Sequence, residues 1–211
     1  MQIVEELIEG LKRFEAPSDI NFFHKLPEFV LLDTEYTAWE GSMQRNWTGP
    51  GEVREMYMAG LLHVRREASN KLVEVASKTI FVRTVVVPKL PEYSIKLTGV
   101  TQEQLDSEGV PYHAALGQLH EFSRGGGIPI VSYGTDRNIL TENCELLKCL
   151  SPQFSGGFFD VRPAIRAKDS RTHSLSSGQL YTLVPGAQPT GQVHNALHDV
   201  RSIFSYLNWI V

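Results

Sequence analysis

The chain has 211 residues, 42% hydrophobic and 21% charged, which is enough for one domain with a real core. Its net charge of −4 excludes a global basic field, so a polyanion would have to be met locally or through bound cations. No apolar run approaches the ~20 residues needed to span a bilayer, and the first residues lack the pattern of a secretory leader, so a cytoplasmic protein without membrane contact is expected.

Ile3, Val4, Leu7, Ile8, Leu11 and Phe14 recur at helical spacing, which predicts an amphipathic helix over 3–14. "APSDIN" (16–21) punctuates its end, and residues 1–27 read as this helix and a linker before a main domain at 28–211. The apolar face needs a surface to cover, either its own domain or a second copy in a homodimer; its polar face is too acidic for a membrane surface.

"FVLLDTEYT" (29–37) begins with four apolar residues that do not alternate, as in a central strand buried on both faces. Alternate residues share a face, so Asp33 and Glu35 lie side by side. Either the strand ends there and both acids are solvated, or something positive sits between them. After a polar, glycine-containing stretch (38–52), strands are expected at about 53–65 and 72–87, completing an antiparallel meander. "TQEQLD" reads as a helix capped by Thr101 with Gln104 three residues on, and "YHAALGQLHEFSR" as the next helix. "GIPIVSYG" and "GFFDV" read as short strands, and "DRNILTENCELLK", "SSGQLYTLV" and "HNALHDVRSIFSYLNWI" as helices. The expected fold is α/β: a mixed five-stranded sheet, with a three-strand meander plus parallel strands, flanked by helices. Cys144 and Cys149 lie five apart with no metal-ligand partners and read as packing thiols.

Sites in such sheets gather outside the carboxyl ends of parallel strands. Asp33 and Glu35 end the first long strand, and Asp136 follows the strand at 128–133, where it also suits a helix N-terminus. His194 and Asp199 flank the start of the last helix. "PGAQPTGQ" (185–192) gives His194 little rigid support, so it is expected to swing towards the site lined by Asp199. His198, beside Asp199, faces elsewhere and reads as solvated or packed.

In order and spacing, "DTEYT", "SYGTDRNIL" and "HNALHDVRS" resemble the three motifs of the DnaQ-like DEDDh 3′–5′ exonucleases. "LTGVTQEQL" followed by "GVPYHAAL" is similar to the segment between that family's first two motifs, and the resemblance spans about residues 28–211. The chain departs from the family at Tyr36–Trp39, where "TG" is common, and in a longer 39–52 stretch. Both departures bear on substrate choice rather than chemistry.

The resemblance implies a ribonuclease H-like fold and hydrolysis of single-stranded RNA or DNA from the 3′ end, releasing nucleoside 5′-monophosphates. Asp33, Glu35, Asp136 and Asp199 are hard oxygen donors, suited to two divalent cations, Mg²⁺ or Mn²⁺. By resemblance, Asp33 bridges the ions, Glu35 and Asp199 hold one, and Asp136 supports the other. His194 would be the general base, a role that suits an imidazole near pH 7. For the substrate path, Arg162, Arg166, Lys168 and Arg171 form a local phosphate track, and Tyr36, Trp39 and Trp47 offer base-stacking faces. Thr37 resembles a family position near the terminal sugar. Two rival readings are a catalytically silent nucleic-acid or polymerase-binding module, and a phosphodiesterase for very short oligonucleotides marked by a closed pocket.

Overall fold

The computed structural model describes residues 2–210. Its N-terminal segment departs from the single expected helix. Helix α1 covers Gln2–Leu7, a 3-10 turn follows at Glu9–Leu11, and Phe14–Glu15 form a short strand, β1. The backbone of Gly10 lies against the carbonyl of Pro152, and Ser151 N–H donates to Leu7 O (2.9 Å), so the turn docks on a distant loop instead of continuing as a helix. Leu7 and Leu11 are buried, and Ile8 packs on the main core. This part of the segment therefore covers its own domain, and homodimerisation through the helix is not needed to bury it.

The long strands are β2 (Glu28–Tyr36), β3 (Met56–Arg66) and β4 (Leu72–Phe81). Two short ones, β5 (Ile130–Ser132) and β6 (Phe158–Asp160), complete a sheet of order β1-β6-β5-β2-β3-β4. Among the described residues the sheet has six strands, not five, because β1 adds in parallel beside β6. The meander β2-β3-β4 is antiparallel, and β2, β5 and β6 run parallel. The third meander strand stops at Phe81 rather than near residue 87. The buried carboxylate of Glu55 accepts the N–H groups of Val85 (2.6 Å), Val86 (3.0 Å) and Val87 (2.7 Å), which a ladder would otherwise have used.

Strand β2 is buried on both faces, and its alternation divides the interior. Val30 and Leu32 join one core cluster with Leu116, Leu119 and Ile139; Phe29 and Leu31 join a second with Val200, Ile203 and Tyr206. Each such side chain contributes about 1.5–3 kcal/mol on burial. The first face is covered by α4 (Tyr112–Phe122) and α5 (Asp136–Leu146), and the second by α7 (Ala196–Ile210). Helices α2 (Glu92–Thr98), α3 (Gln102–Glu108) and α6 (Arg162–Lys168) lie beyond the meander and after β6. The capping box of Thr101 and Gln104 forms as expected, whereas "SSGQLYTLV" becomes a 3-10 helix at Ser177–Leu183. Cys144 is buried and Cys149 partly so; both are free. Among the described residues no helix is long and apolar enough to cross a membrane.

Candidate active site

The alternation of β2 also divides its polar end. Asp33 and Glu35 share the face of Leu31, towards α7, while Thr34 faces α5. Asp33 stands opposite Gly60 of β3 in register, and a side chain on Gly60 would collide with the backbone of Ala196. That missing side chain lets the first turn of α7 cross the sheet at backbone contact. Asp199 is thereby delivered to Asp33 and Glu35.

His194 lies two residues before α7 with φ +68°, a left-handed conformation uncommon for residues other than glycine. Its N–H donates to Asp199 Oδ1 (3.1 Å), and one ligand atom each from Glu35, His194 and Asp199 lie within 4.8 Å of one another. Ser177 Oγ donates to Asp199 Oδ2 (2.9 Å), and Gly178 lets its segment press against that carboxylate. Asp136, the first residue of α5, reaches the site from the other face. Its Oδ1 accepts both the N–H (2.9 Å) and the hydroxyl (2.7 Å) of Thr34. Asp160 is committed elsewhere: its Oδ1 accepts N–H groups of Gly134 (2.9 Å) and Arg162 (2.8 Å).

Asp33, Glu35, Asp136, His194 and Asp199 line one cavity of about 350 Å³. Tyr36, Trp39 and Trp47 form one wall, with Tyr93 and Leu97 of α2 and Arg162 and Arg166 of α6 on others. Trp47 serves mainly as a support: its Nε1–H donates to Thr37 O (2.9 Å), Tyr36 lies 5.4 Å away, and Arg54 lies 5.6 Å from its ring centre. Three expected substrate residues do not line the cavity. Thr37 is fully buried, its hydroxyl donating to Val53 O (2.6 Å) and accepting from Glu55 N–H (3.0 Å). Lys168 is exposed at the end of α6. Arg171 is bound to Asp169 (2.6 Å) and lies 5.7 Å from the ring centre of Trp209.

His198 proves to be packed: it is buried between Thr190 Oγ1 (3.1 Å) and Gly178 O (3.0 Å). This contact ties the 185–192 loop to the body and corrects the expectation of an unsupported loop. Sequence reasoning missed Gly60, Ser177, Gly178, Tyr93 and Leu97. A glycine inside an apolar strand was a usable signal for Gly60; the others carry none.

No protein-family model and no curated protein matches this sequence. Solved structures do. The nuclease domain of 3′hExo, a DEDDh family member bound to rAMP, aligns with a TM-score of 0.66 at 19% identity, over 87% of this chain and 91% of that one. Cell-death related nuclease 4 (CRN-4) aligns at 0.69 and 15% identity, over 87% of this chain and 63% of its own. E. coli exonuclease I in complex with a dA16 oligonucleotide aligns at 0.60 and 16% identity, over 85% of this chain but 40% of its own. The chain has the DnaQ-like fold of the DEDDh 3′-exonucleases.

In that fold the electrostatics of the acids are informative. Burial, followed by the charges of Asp199 and Asp136, pushes the carboxyls of Asp33 and Glu35 well above the ordinary range. Burial raises Asp136 and Asp199 to about 6, against hydrogen bonds from Thr34 to the first and from Ser177 to the second. Four acids held so close are tolerable as anions only beside cations. The donor set is oxygen-rich with one imidazole, a chemistry that fits a hard divalent ion.

A pH dependence follows. Asp136 and Asp199 are raised from 3.8 to about 6, so the folded protein binds protons that the unfolded chain has released. Through these two groups stability falls as pH rises from about 4 to about 6, and Asp33 and Glu35, raised well above the ordinary range, add to the fall. In EDTA, Tm is expected to fall across this range, while Mg²⁺ should restore it near pH 7 and do little near pH 4. Thermal unfolding with and without Mg²⁺ measures both. A Tm indifferent to Mg²⁺ near pH 7 would contradict the cation-binding reading.

Proposed function

We propose that this chain is a metal-dependent 3′–5′ exonuclease acting on single-stranded RNA or DNA. The observation that carries the reading is the convergence of four carboxylates and the His194 imidazole on one cavity. Bound divalent cations would supply water activation and stabilisation of the charge that develops on the phosphoryl oxygens. The side chains of Asp33, Glu35, Asp136 and Asp199 would hold them. His194 takes the proton of the attacking water. Water attacks phosphorus, the bond to the 3′ oxygen of the penultimate nucleotide breaks, that oxygen takes up a proton from solvent to become the new 3′ hydroxyl, and a nucleoside 5′-monophosphate is released.

Arg162 and Arg166 face this centre with positive charge, and Tyr36 and Trp39 offer aromatic faces. A cavity of 350 Å³ is at the small end for a ligand site and fits a strand terminus better than a double helix. A paired end would first have to fray, at about 1–2 kcal/mol per step. The nucleotide ligands of the structural neighbours, rAMP and dA16, agree with this substrate class.

Phosphate and ring contacts are common to all nucleotides and read almost no sequence. Reversing the charge of Arg162 or Arg166 is therefore expected to weaken binding of every sequence alike and to flatten its salt dependence by about one phosphate each. Titration at several salt concentrations measures this, and unchanged slopes would take α6 out of the substrate path. A preference for very short oligonucleotides is a second reading, favoured by the Trp39–Trp47 turn that walls the cavity; rate against substrate length decides between them. The proposal itself is tested with 5′-labelled RNA and DNA oligomers in Mg²⁺, Mn²⁺ or EDTA. Stepwise shortening from the 3′ end in the first two is expected, faster on single strands than on blunt duplex. Intact oligomers in every metal would refute it.

A further inference from the structure

Helix α2 ends at Gly99, with φ +75°, whose N–H donates to Ile95 O, so the carbonyls of Lys96 and Leu97 are among those left without helical donors. The N–H of Val100 turns to Thr98 Oγ1 (3.2 Å) and that of Thr101 to Gln104 Oε1 (3.0 Å), so neither serves Lys96 O or Leu97 O. Both carbonyls are met instead by Gln192, about 95 residues away along the chain, whose Nε2 donates to Lys96 O (3.3 Å) and Leu97 O (2.9 Å). Gln192 lies two residues before His194, and its own carbonyl accepts the N–H of Asn195 (3.1 Å).

His194 is thus held from two sides, by the Gln192 carboxamide on α2 and by its own N–H on Asp199 (3.1 Å). Its left-handed backbone persists only if the surroundings impose it. The same helix α2 supplies Tyr93 and Leu97 to the cavity wall. One side chain therefore joins the wall that a terminal nucleotide would touch to the backbone that carries the base.

We propose that Gln192 is a positioning residue that sets His194 against the acids by capping the C-terminus of α2. The proposal rests on the function given above. Gln192→Glu keeps the size of the side chain, replaces its donors with acceptors, and places negative charge at the negative end of a helix. Gln192→Arg restores donors there. Gln192 is exposed, so neither change removes a core side chain.

On a labelled single strand in Mg²⁺, Gln192→Glu is expected to lower kcat about 10–100-fold, the effect of a small misplacement of a reacting group. KM should stay within about threefold, and Gln192→Arg should recover most of kcat. Hydrogen exchange at the amides of His194 and Asn195 should quicken in Gln192→Glu but not in Gln192→Arg. Unchanged kcat in Gln192→Glu, an equal loss in Gln192→Arg, or exchange unaltered in both would each overturn the proposal. A wild-type protein that cleaves nothing would overturn the function, and the exchange comparison would still decide whether the tether exists.

Discussion

Asp33→Asn is expected to abolish hydrolysis and, in EDTA, to raise Tm. Asp33 is buried, and its carboxyl is pushed up by burial and then by Asp199, Asp136 and Glu35. The amide keeps the shape of the side chain and removes the charge. Without metal, relief of repulsion is worth about 1–2 kcal/mol, or about 2–8 °C for a chain of this size. With Mg²⁺ the order should reverse, because the wild type gains from the ion and the variant has lost a donor. Kinetics at saturating Mg²⁺, with thermal unfolding in Mg²⁺ and in EDTA, measure both halves. Hydrolysis at the wild-type rate would remove Asp33 from the centre, and a lower Tm in EDTA would show that its charge is not a source of repulsion.

His194→Ala is expected to lower kcat by about 10²–10⁴-fold, the usual worth of a general base. Alanine is strained at the φ of +68° found there, so a loss of rate could arise from the backbone alone. His194→Asn separates the causes, because asparagine tolerates that conformation but is no base. Equal losses in the two variants, with Tm kept in His194→Asn, would assign the effect to proton transfer. His198→Ala provides the contrast. His198 bridges Thr190 and Gly178 O, so its removal should lower stability by about 1–3 kcal/mol and kcat by less than about tenfold. If the two histidines exchanged these outcomes, the base would be His198.

Much of this architecture follows from pattern. The four apolar residues before Asp33 demand burial on both sides, and the strand period then fixes Asp33 and Glu35 on one face. The apolar spacing of the last helix and the capping box at Thr101 are equally local, and the structure contains both. Local pattern failed where a distant partner competed for the backbone. "TVVVP" has every property of a strand, yet Glu55 takes its N–H groups. The N-terminal spacing continues the helical period to Phe14, yet Gly10 docks on Pro152 and Phe14 joins the sheet.

The sequence by itself determined which residues are candidates for chemistry, four hard carboxylates and a histidine, and the structure brings all five to one cavity. Only the tertiary structure decided which of their neighbours are free to act with them. Thr37 is consumed by Val53 and Glu55, Arg171 by Asp169, and Trp47 by Thr37, whereas Arg162 and Arg166 reach the cavity. Gly60 admits α7 to the sheet, Thr34 fixes Asp136, and Gln192 holds the turn of His194. The reason is physical. A residue type sets what a side chain can donate, accept or ligate, but each buried polar atom has few bonding positions, and which partner fills them depends on cross-strand register and on segments far apart in the chain.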